Sequence, residues 1–511
     1  MIEPVVTFAQ ESVGWQTPTF DWHAFAPEII VVATISVLIL LDLFTAETNK
    51  WAQSSIAGIG LLAAMIPVVT LAYDGTVRSL FDGAYVVDEF SLVLKALFLI
   101  AAYVVVLLST NYIAEGDYWE GEYYQLLLCS VLGMMVMASA RDLVSIFVAL
   151  ELLSIPAYML AAWRKRDARS NEAGLKYYLM GVFASAVMLY GMSLLYGFTG
   201  STKLSVIAEN LGNLSEPEPF VTLGIVFVIV GFAFKISAVP FHTWAPDTYE
   251  GAPTPVTSFL AVSSKAAGFV AILILVFVGF YGANGSEVWE PLFYILSVAS
   301  MFIGNLIALR QTNIVRMMAY SGVAQAGYMM APLAVAGSGG IGEGDNALRS
   351  IVIYLVIYAA MNLGVFAVII AVARKTRSAE LDSYGGLFQY APGLAAAMVV
   401  FLFSLAGIPP LAGWFAKFVI FDSLVGAGTT GGYVLAVIVG VNSVIALFYY
   451  ARIARMMFME PAPDGDVTPI RVPVALTAAM AITGVVTIAL GVFPYLVTRV
   501  TENVTLLGVG G

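Results

Sequence analysis

Long apolar runs separated by short polar connections dominate this sequence. Each run is close to the ~20 residues that an α-helix needs to cross a bilayer core. Because the runs are continuous rather than alternating, they disfavour a β-barrel and predict an all-α polytopic membrane protein with about 14 transmembrane helices. The predicted spans lie near 27–43, 54–73, 88–109, 124–140, 142–163, 174–198, 220–239, 253–280, 289–309, 313–336, 348–373, 393–423, 433–458 and 471–495.

The connections carry turn chemistry and are too short to hold a soluble domain. They include Asp74-Gly75, Gly200-Ser201, Pro217-Glu218-Pro219, the stretch 337–344 and the stretch 461–463. No glycine-rich nucleotide loop occurs in a strand–helix context. Residues 1–27 contain no lysine or arginine, so the basic segment that opens a signal peptide is missing and the first span is predicted to be a retained helix.

Composition supports the membrane interpretation and removes several classes of chemistry. Of 511 residues, 60% are hydrophobic and 11% are charged, and the charged share is less than half the ~25% of a soluble domain. A net charge of −11 argues against nucleic acid as a partner. Cys129 is the only cysteine, and His23 and His242 are the only histidines. Neither a disulfide scaffold, a cysteine-ligated cluster nor a metal site is therefore expected, and the chain carries no redox centre of its own.

Lysine and arginine in the connections indicate the orientation. Loops after odd-numbered helices hold thirteen basic residues, and the other loops hold five. Because basic loops stay in the cytoplasm, this bias places both termini on the exterior side.

Four ionisable residues lie deep inside predicted spans. Glu151 is midway along the fifth helix, Lys235 is near a break in the seventh, Lys265 is central in the eighth and Lys417 follows a break in the twelfth. A charge at such depth costs at least ~2.5–3.5 kcal/mol, so it is retained where it serves an ion pathway. The alternative is a lysine that snorkels to the interface. We interpret these four residues as functional.

Two further lysines have a local interpretation. Lys95 follows Asp88-Glu89 by about two turns, which favours snorkelling or a local pair. Lys176 lies four residues after Glu172, the spacing of a helix-start ion pair.

Proline interrupts the seventh and twelfth helices, at Pro240 and at Pro409-Pro410. Each break frees backbone groups at membrane depth and predicts a small hydrated pocket beside a lysine. A tryptophan follows each break, Trp244 in VPFHTW and Trp414 in IPPLAGW. Interruptions at corresponding positions indicate two inverted five-helix repeats. We therefore predict helices 1–3 in residues 1–120, the repeats in 121–285 and 286–460, and helix 14 with a tail in 461–511.

These residues permit a proton relay. Burial favours the neutral form of a lysine and a nearby carboxylate favours the charged form. Moving Glu151 toward or away from Lys235 would therefore switch that lysine between holding and releasing a proton, with Lys265 and Lys417 as later stations. Sodium transport is the competing hypothesis, but it favours carboxylate and carbonyl ligands, and three lysines would repel a cation.

The same stretches resemble the antiporter-like subunits of the proton-pumping NADH:quinone oxidoreductase, respiratory complex I, and among them the subunit N family. The resemblance covers most of residues 120–460. It is carried by ELLSIPAYMLAAW, RKRDARSNEAGLKYYLMGVFASAVMLYGMSLLYGFTG, FKISAVPFHTWAPDTYEGAPTPVTSFLAVSSKAAGF, MMAYSGVAQAGYMM and LAGIPPLAGWFAKF.

The resemblance implies a 14-helix subunit of the membrane arm and a role for each buried charge. Glu151 matches the fifth-helix glutamate and Lys235 its seventh-helix ion-pair partner. Lys265 matches the central lysine and Lys417 the twelfth-helix lysine. His242 falls where the family has a histidine in the broken seventh helix, and it is equally well explained as an interfacial loop histidine.

Three features distinguish this chain within the resembling superfamily. The sibling with a long lateral C-terminal helix does not fit a sequence that stops at Gly511, soon after helix fourteen. Another sibling has glutamate where Lys417 stands. Many members have histidine where this chain has Gln325, and glutamine there also resembles the photosynthetic, ferredoxin-linked complex. The electron donor is therefore left open, and a relay at Gln325 would have to use water.

The resemblance also implies partners and cofactors outside the chain. NAD(H), FMN, iron–sulfur clusters and quinone are expected in other subunits. The partners are expected to be other membrane-arm subunits, the peripheral redox arm and the lipid bilayer. Two other hypotheses remain: a subunit of a multi-subunit cation/proton antiporter, and a non-pumping membrane scaffold.

Overall fold

A computed structural model describes residues 20–44, 50–116, 121–214, 218–337 and 341–506. The first half of the chain forms α1 (Ala26–Phe44), α2 (Lys50–Asp74), β1 (Arg78–Leu80), β2 (Tyr85–Val87), α3 (Glu89–Ala114), α4 (Gly121–Ser139), α5 (Leu143–Ala161), α6 (Ala168–Thr199), α7 (Leu204–Gly212), α8 (Pro219–Lys235), α9 (Trp244–Gly251), α10 (Thr254–Phe259) and α11 (Lys265–Ile274). The π-helical segment Leu260–Ser264 joins α10 to α11, and a second one, Leu275–Gly279, continues α11 to the end of one span, Thr254–Gly279.

The second half repeats the helical architecture. It contains α12 (Ala283–Ala308), α13 (Ile314–Met330), α14 (Ile341–Thr376), α15 (Leu387–Tyr390), α16 (Pro392–Ala406), α17 (Ala412–Gly426), α18 (Thr430–Met459), α19 (Val474–Val492) and α20 (Tyr495–Thr501), with 3₁₀ turns at Ala331–Val335, Leu381–Tyr384 and Pro463–Gly465.

A helix stands at each of the fourteen predicted spans. Within the described residues, eleven helices are long and apolar enough to cross a membrane. The shorter apolar helices α8 and α16 are the first parts of the broken seventh and twelfth spans, and α13 occupies the tenth position. The predicted all-α polytopic fold, with helices seven and twelve broken, is confirmed.

The eighth span, which contains α10 and α11, and the helix α14 form the centre of the bundle. The most apolar stretch of the span Thr254–Gly279 is 94% buried, and that of α14 is 89% buried. In contrast, α6 and α19 turn most of their surface outward. Lys265 therefore lies at the core of the protein rather than at its margin.

The short elements were not predicted. The strands of the β1–β2 hairpin are three residues long and pair Arg78 with Val87. Such strands are too short for an alternating pattern to be recognised in the sequence. The helix α7 lies in a connection. Residues 215–217 of one predicted connection, 338–340 of another and residues 1–19 of the N-terminal segment lie outside the described residues.

The starts of α5 and α13 repeat one another. The carboxylate of Asp142 accepts hydrogen bonds from two backbone N–H groups of the first turn of α5. The amide oxygen of Asn313 does the same for α13. Each cap residue also forms an antiparallel bridge with the loop that follows the next long helix, Asp142 with Lys203 and Asn313 with Glu380.

The two bridged loops match in their side-chain hydrogen bonds as well. Thr199 Oγ1 donates to the Ser201 carbonyl, and Thr376 Oγ1 donates to the Ser378 carbonyl. The residue between each pair has a positive φ, 68° at Gly200 and 50° at Arg377. The helices α5 and α13 are the fifth and tenth spans, so they run in opposite directions if every span crosses the membrane once. This is a second similarity between the two halves of the chain, besides the two proline breaks. The sequence does not reveal it, because TGSTK and TRSAE share only one threonine and one serine.

The prediction that Lys95 snorkels or pairs locally is wrong. Its side chain is buried, and its Nζ lies 2.9 Å from the buried Glu28 carboxylate of α1 and 2.8 Å from the Tyr85 hydroxyl. The partner is therefore distant in sequence, and the lysine neither snorkels nor pairs locally. Lys176 does pair with Glu172, at 2.7 Å, as its spacing predicted.

The Glu28–Lys95 pair gives a stability prediction. Lys95→Met leaves the buried Glu28 carboxylate uncompensated, and we expect a loss of roughly 3–5 kcal/mol. Glu28→Leu together with Lys95→Met should recover most of that loss, because no buried charge remains. Thermal unfolding of the purified complex measures both variants. Lys176→Met, which removes partly exposed ion pairs with Glu172 and Asp247, is the control. A loss with Lys95→Met no larger than the loss with Lys176→Met would contradict the prediction.

Candidate functional site

Glu151 lies on α5 at the boundary with α6. Its side chain is partly buried and its Oε1 accepts a hydrogen bond of 2.7 Å from the Ser185 hydroxyl. Lys235 does not come within the 4.0 Å of a salt bridge. The direct ion pair that the resemblance implied for Glu151 and Lys235 is therefore not formed in this conformation.

Lys235 is the last residue of α8 and is 3% exposed. Its Nζ donates to the Ser154 hydroxyl at 2.9 Å and to the Tyr177 hydroxyl at 3.2 Å. Ser154 lies one turn beyond Glu151 on α5, so the two side chains share a face of that helix. Helix α5 thus presents a hydroxyl to the lysine and holds the carboxylate one turn away.

Tyr177 is held in place by the tryptophan that follows the first break. The Tyr177 and Trp244 rings stack with centroids 4.4 Å apart and an angle of 11°. Trp244 Nε1 donates to the Phe234 carbonyl at 3.0 Å, next to Lys235. The break therefore brings Trp244 back over the end of α8, where it fixes one of the hydroxyls that binds Lys235.

Lys265 sits in the middle of the central helix and is 1% exposed. Its Nζ donates to the Gly322 carbonyl of α13 at 2.6 Å. A Cβ at position 322 would lie 3.1 Å from this nitrogen, so glycine allows the close approach. The π-helical segment Leu260–Ser264 ends immediately before Lys265. Single π turns of this kind are frequent at functional sites.

Lys417 lies on α17, just after the second break, and is 9% exposed. Its Nζ donates to the Ala406 carbonyl at 2.8 Å and lies 4.8 Å from the centre of the Tyr328 ring. Ala406 ends α16, so its carbonyl has no partner within the helix. The break thus supplies the acceptor that the buried ammonium group needs.

Side chains satisfy other backbone groups that the breaks free. Ser300 Oγ accepts from the Val239 N–H, and Ser404 Oγ accepts from the Gly413 N–H, each at 2.9 Å. The two breaks differ in their tryptophans, since Trp244 is buried whereas Trp414 is 38% exposed. Direct contacts with protein therefore satisfy these two backbone N–H groups, and the hydrated pockets beside the lysines stay a prediction.

His242 lies inside the first break, between α8 and α9. Its ring faces Tyr320, with centroids 6.3 Å apart. Its Nδ1 is buried and has no hydrogen-bond partner among the described residues. The structure therefore does not bring His242 into hydrogen-bond contact with Lys235, and a role for it stays a prediction.

Gln325 is fully buried on α13, about one turn after Gly322, whose carbonyl binds Lys265. Its Nε2 donates to the Leu405 carbonyl at 3.4 Å and to the Tyr450 hydroxyl at 3.5 Å, and its Oε1 accepts from Tyr354. Leu405 and Ala406 are consecutive, so Gln325 and Lys417 bind neighbouring carbonyls at the end of α16.

Sequence reasoning identified the charged residues but missed most of their partners. Ser154 carried a usable signal, because it stands three residues after Glu151. Tyr177 and the carbonyls of Gly322 and Ala406 carried none, because their roles depend on how helices pack. Within the described residues, no group of histidine, cysteine, aspartate and glutamate could hold a metal ion.

The three lysines share one arrangement. Among the described residues, no carboxylate lies within 4.0 Å of Lys235, Lys265 or Lys417, and each ammonium group donates to neutral oxygens. Buried lysines held by neutral groups can exchange protons, because no fixed charge holds them in the protonated form. Broken helices with ionisable residues inside the bundle define an ion-translocating class of membrane protein.

The chain belongs to the family described as the NADH:quinone oxidoreductase/Mrp antiporter transmembrane family, which matches residues 140–446. It is 41% identical over 485 residues to NAD(P)H-quinone oxidoreductase subunit 2 of Gloeobacter violaceus, covering 92% of this chain and 90% of the relative. It is 40% identical over 487 residues to NADH-quinone oxidoreductase subunit N of Desulfitobacterium hafniense, covering 93% and 96%.

Solved structures share the fold. A chain of respiratory complex I from Thermus thermophilus superposes with a TM-score of 0.77 at 32% identity, covering 93% of this chain and 98% of that one. A chain of the Mrp complex from Dietzia superposes with a TM-score of 0.81 at 21% identity, covering 94% and 96%. The second likeness is one of fold alone.

Gly407 provides a test of the packing at the second break. It has a φ of 93°, and a Cβ there would lie 2.9 Å from Lys417 Cδ. We expect Gly407→Ala to lower the melting temperature of the complex more than Gly428→Ala. Gly428 also has a positive φ, 65°, but open space around it, so it controls for backbone strain. Equal losses would show that Lys417 is not closely packed against Gly407.

Proposed function

We propose that this chain is a proton-translocating membrane-arm subunit of an NADH (or related donor):quinone oxidoreductase. Relatives that are 40–41% identical over more than nine-tenths of the chain carry the names of subunits of such enzymes. The observation that carries the mechanism is the set of three buried lysines, each bound to neutral oxygens. Such groups can hold and release protons without a fixed counter-charge.

The relay starts at Glu151 and Lys235. In the described conformation the carboxylate is bound by Ser185, and the lysine by Ser154 and Tyr177. A shift of Glu151 toward Lys235 would favour the charged lysine, and a shift away would favour release of its proton. The driving step is therefore a change in the distance between Glu151 and Lys235. In the described conformation, Glu151 lies one turn of α5 away from Ser154, which binds Lys235.

Lys265 and Lys417 are the following stations. Lys265 receives the proton at the centre of the bundle, and Lys417 passes it on at the second break. Moving one charge through 100 mV takes ~2.3 kcal/mol. A lysine whose proton affinity changes by two orders of magnitude supplies ~2.7 kcal/mol. The side chains can therefore match the membrane potential.

The redox chemistry belongs to other subunits in this proposal. NAD(H), FMN, iron–sulfur clusters and quinone are assigned to neighbouring chains of the complex, and quinone reduction drives the relay from outside this chain. The partners are the other antiporter-like and small membrane subunits and the peripheral arm. The chain lies in the inner membrane of a prokaryote with both termini on the exterior side. Residues 121–285 and 286–460 form the two repeats.

Four relay variants of the whole complex test this function. Glu151→Gln, Lys235→Ala, Lys265→Ala and Lys417→Ala should each reduce proton pumping by this subunit by about tenfold or more, because each removes a titratable station. Pumping into vesicles and quinone reduction are measured together. Lys176→Ala, which removes a lysine outside the relay, is the control.

The outcome separates the relay from a scaffold role. Four assembled variants with unchanged pumping and quinone reduction would leave the lysines without a function in transport. Co-purification separates the enzyme from an antiporter: iron–sulfur subunits that oxidise NADH or ferredoxin support the oxidoreductase, whereas small membrane partners alone would overturn it in favour of a cation/proton antiporter.

A further inference from the structure

The interval between Lys265 and Lys417 contains a side chain that cannot relay a proton. Gln325 stands there, held by Tyr354, Tyr450 and the Leu405 carbonyl. A carboxamide neither gains nor loses a proton as an ordinary acid or base. If protons pass between the two lysines, another group beside Gln325 must carry them.

Tyr450 of α18 is placed to do so. It is fully buried, and its hydroxyl lies 2.6 Å from Ser321 Oγ and 3.5 Å from Gln325 Nε2. Ser321 directly precedes Gly322, whose carbonyl binds the Lys265 ammonium group. Tyr450 therefore reaches from α18 to the turn of α13 where Lys265 is held.

Further buried tyrosines lie beside Gln325 and beside Lys265. Tyr354 donates to the Gln325 carboxamide that also contacts the Tyr450 hydroxyl, so the two phenols flank that side chain. Beside Lys265, the point where a Cβ of residue 322 would lie is 3.1 Å from the lysine Nζ and 3.4 Å from the Tyr358 hydroxyl.

A buried tyrosine also lies beside Lys417. Tyr328 lies beneath Lys417, with Nζ 4.8 Å from the centre of its ring. All four tyrosines are buried, and they come from three helices, α13, α14 and α18. Buried tyrosines thus lie beside Lys265, beside Gln325 and beside Lys417.

We propose that the Tyr450 hydroxyl, with Ser321 and the neighbouring tyrosines, carries the proton past Gln325. A hydroxyl both donates and accepts, so each oxygen takes one proton from one side and gives its own hydrogen to the other. Lys265 loses one proton, Lys417 gains one, and every tyrosine ends neutral. This inference rests on the proposed function, since it assumes that both lysines are stations.

Tyr450→Phe tests the inference, because it keeps the ring and removes only the hydroxyl. In the whole complex we expect pumping to fall by about tenfold or more, the effect of losing a positioned proton carrier. Tyr384→Phe is the matched control. Tyr384 is also fully buried, but its hydroxyl has no hydrogen-bond partner among the described residues.

A second substitution separates proton transfer from packing. Adding Gln325→His to Tyr450→Phe places a group that itself carries protons beside the gap, so pumping should return. A loss in Tyr450→Phe that histidine does not reverse would overturn the proposal by assigning Tyr450 a structural role.

Lys265→Ala, measured in parallel, keeps the two hypotheses apart. Normal pumping in Lys265→Ala removes the relay itself and the inference with it. Lost pumping in Lys265→Ala with normal pumping in Tyr450→Phe overturns only the tyrosine path. If Tyr450→Phe prevents assembly of the complex, Ser321→Ala and Tyr354→Phe take its place under the same criteria.

Discussion

The protein has to stabilise three lysine ammonium groups that are buried in an apolar helix bundle, and the rest of the site is arranged around them. A buried charge without a partner costs several kcal/mol, yet a carboxylate in direct contact would hold each lysine in its charged form. The protein meets both demands with neutral oxygens. Hydroxyls of Ser154 and Tyr177 and carbonyls of Gly322 and Ala406 stabilise the charge but leave the proton exchangeable.

The irregularities of the helices follow from that constraint. A helix that ends inside the membrane leaves its last carbonyls without a partner in the helix, and a carbonyl within a helix can accept a second hydrogen bond where a donor comes close enough. The end of α16 offers its carbonyl to Lys417, and Gly322 lets Lys265 approach a carbonyl of α13 directly. The first break works differently, because Trp244 folds back to hold Tyr177 beside Lys235. Equivalent breaks therefore serve their lysines through different atoms.

The sequence predicted the spans, the breaks and the charged residues, because each leaves a local signal: an apolar run, a proline or a lysine out of place. It failed where the answer depends on packing. Lys95 pairs with Glu28 across the N-terminal helices, and Glu151 binds Ser185 rather than Lys235. The matched loops after α6 and α14 were missed because a repeated hydrogen-bond pattern survives when most of its residues change.

In the proposed relay the buried lysines release protons rather than merely provide positive charge. Lys417→Arg tests it directly, because arginine stays charged at every accessible pH, and position 417 is the least enclosed of the three. We expect the complex with arginine at position 417 to assemble and this subunit to pump no better than it does with alanine there. Normal proton pumping with arginine at that position would contradict the proposed relay.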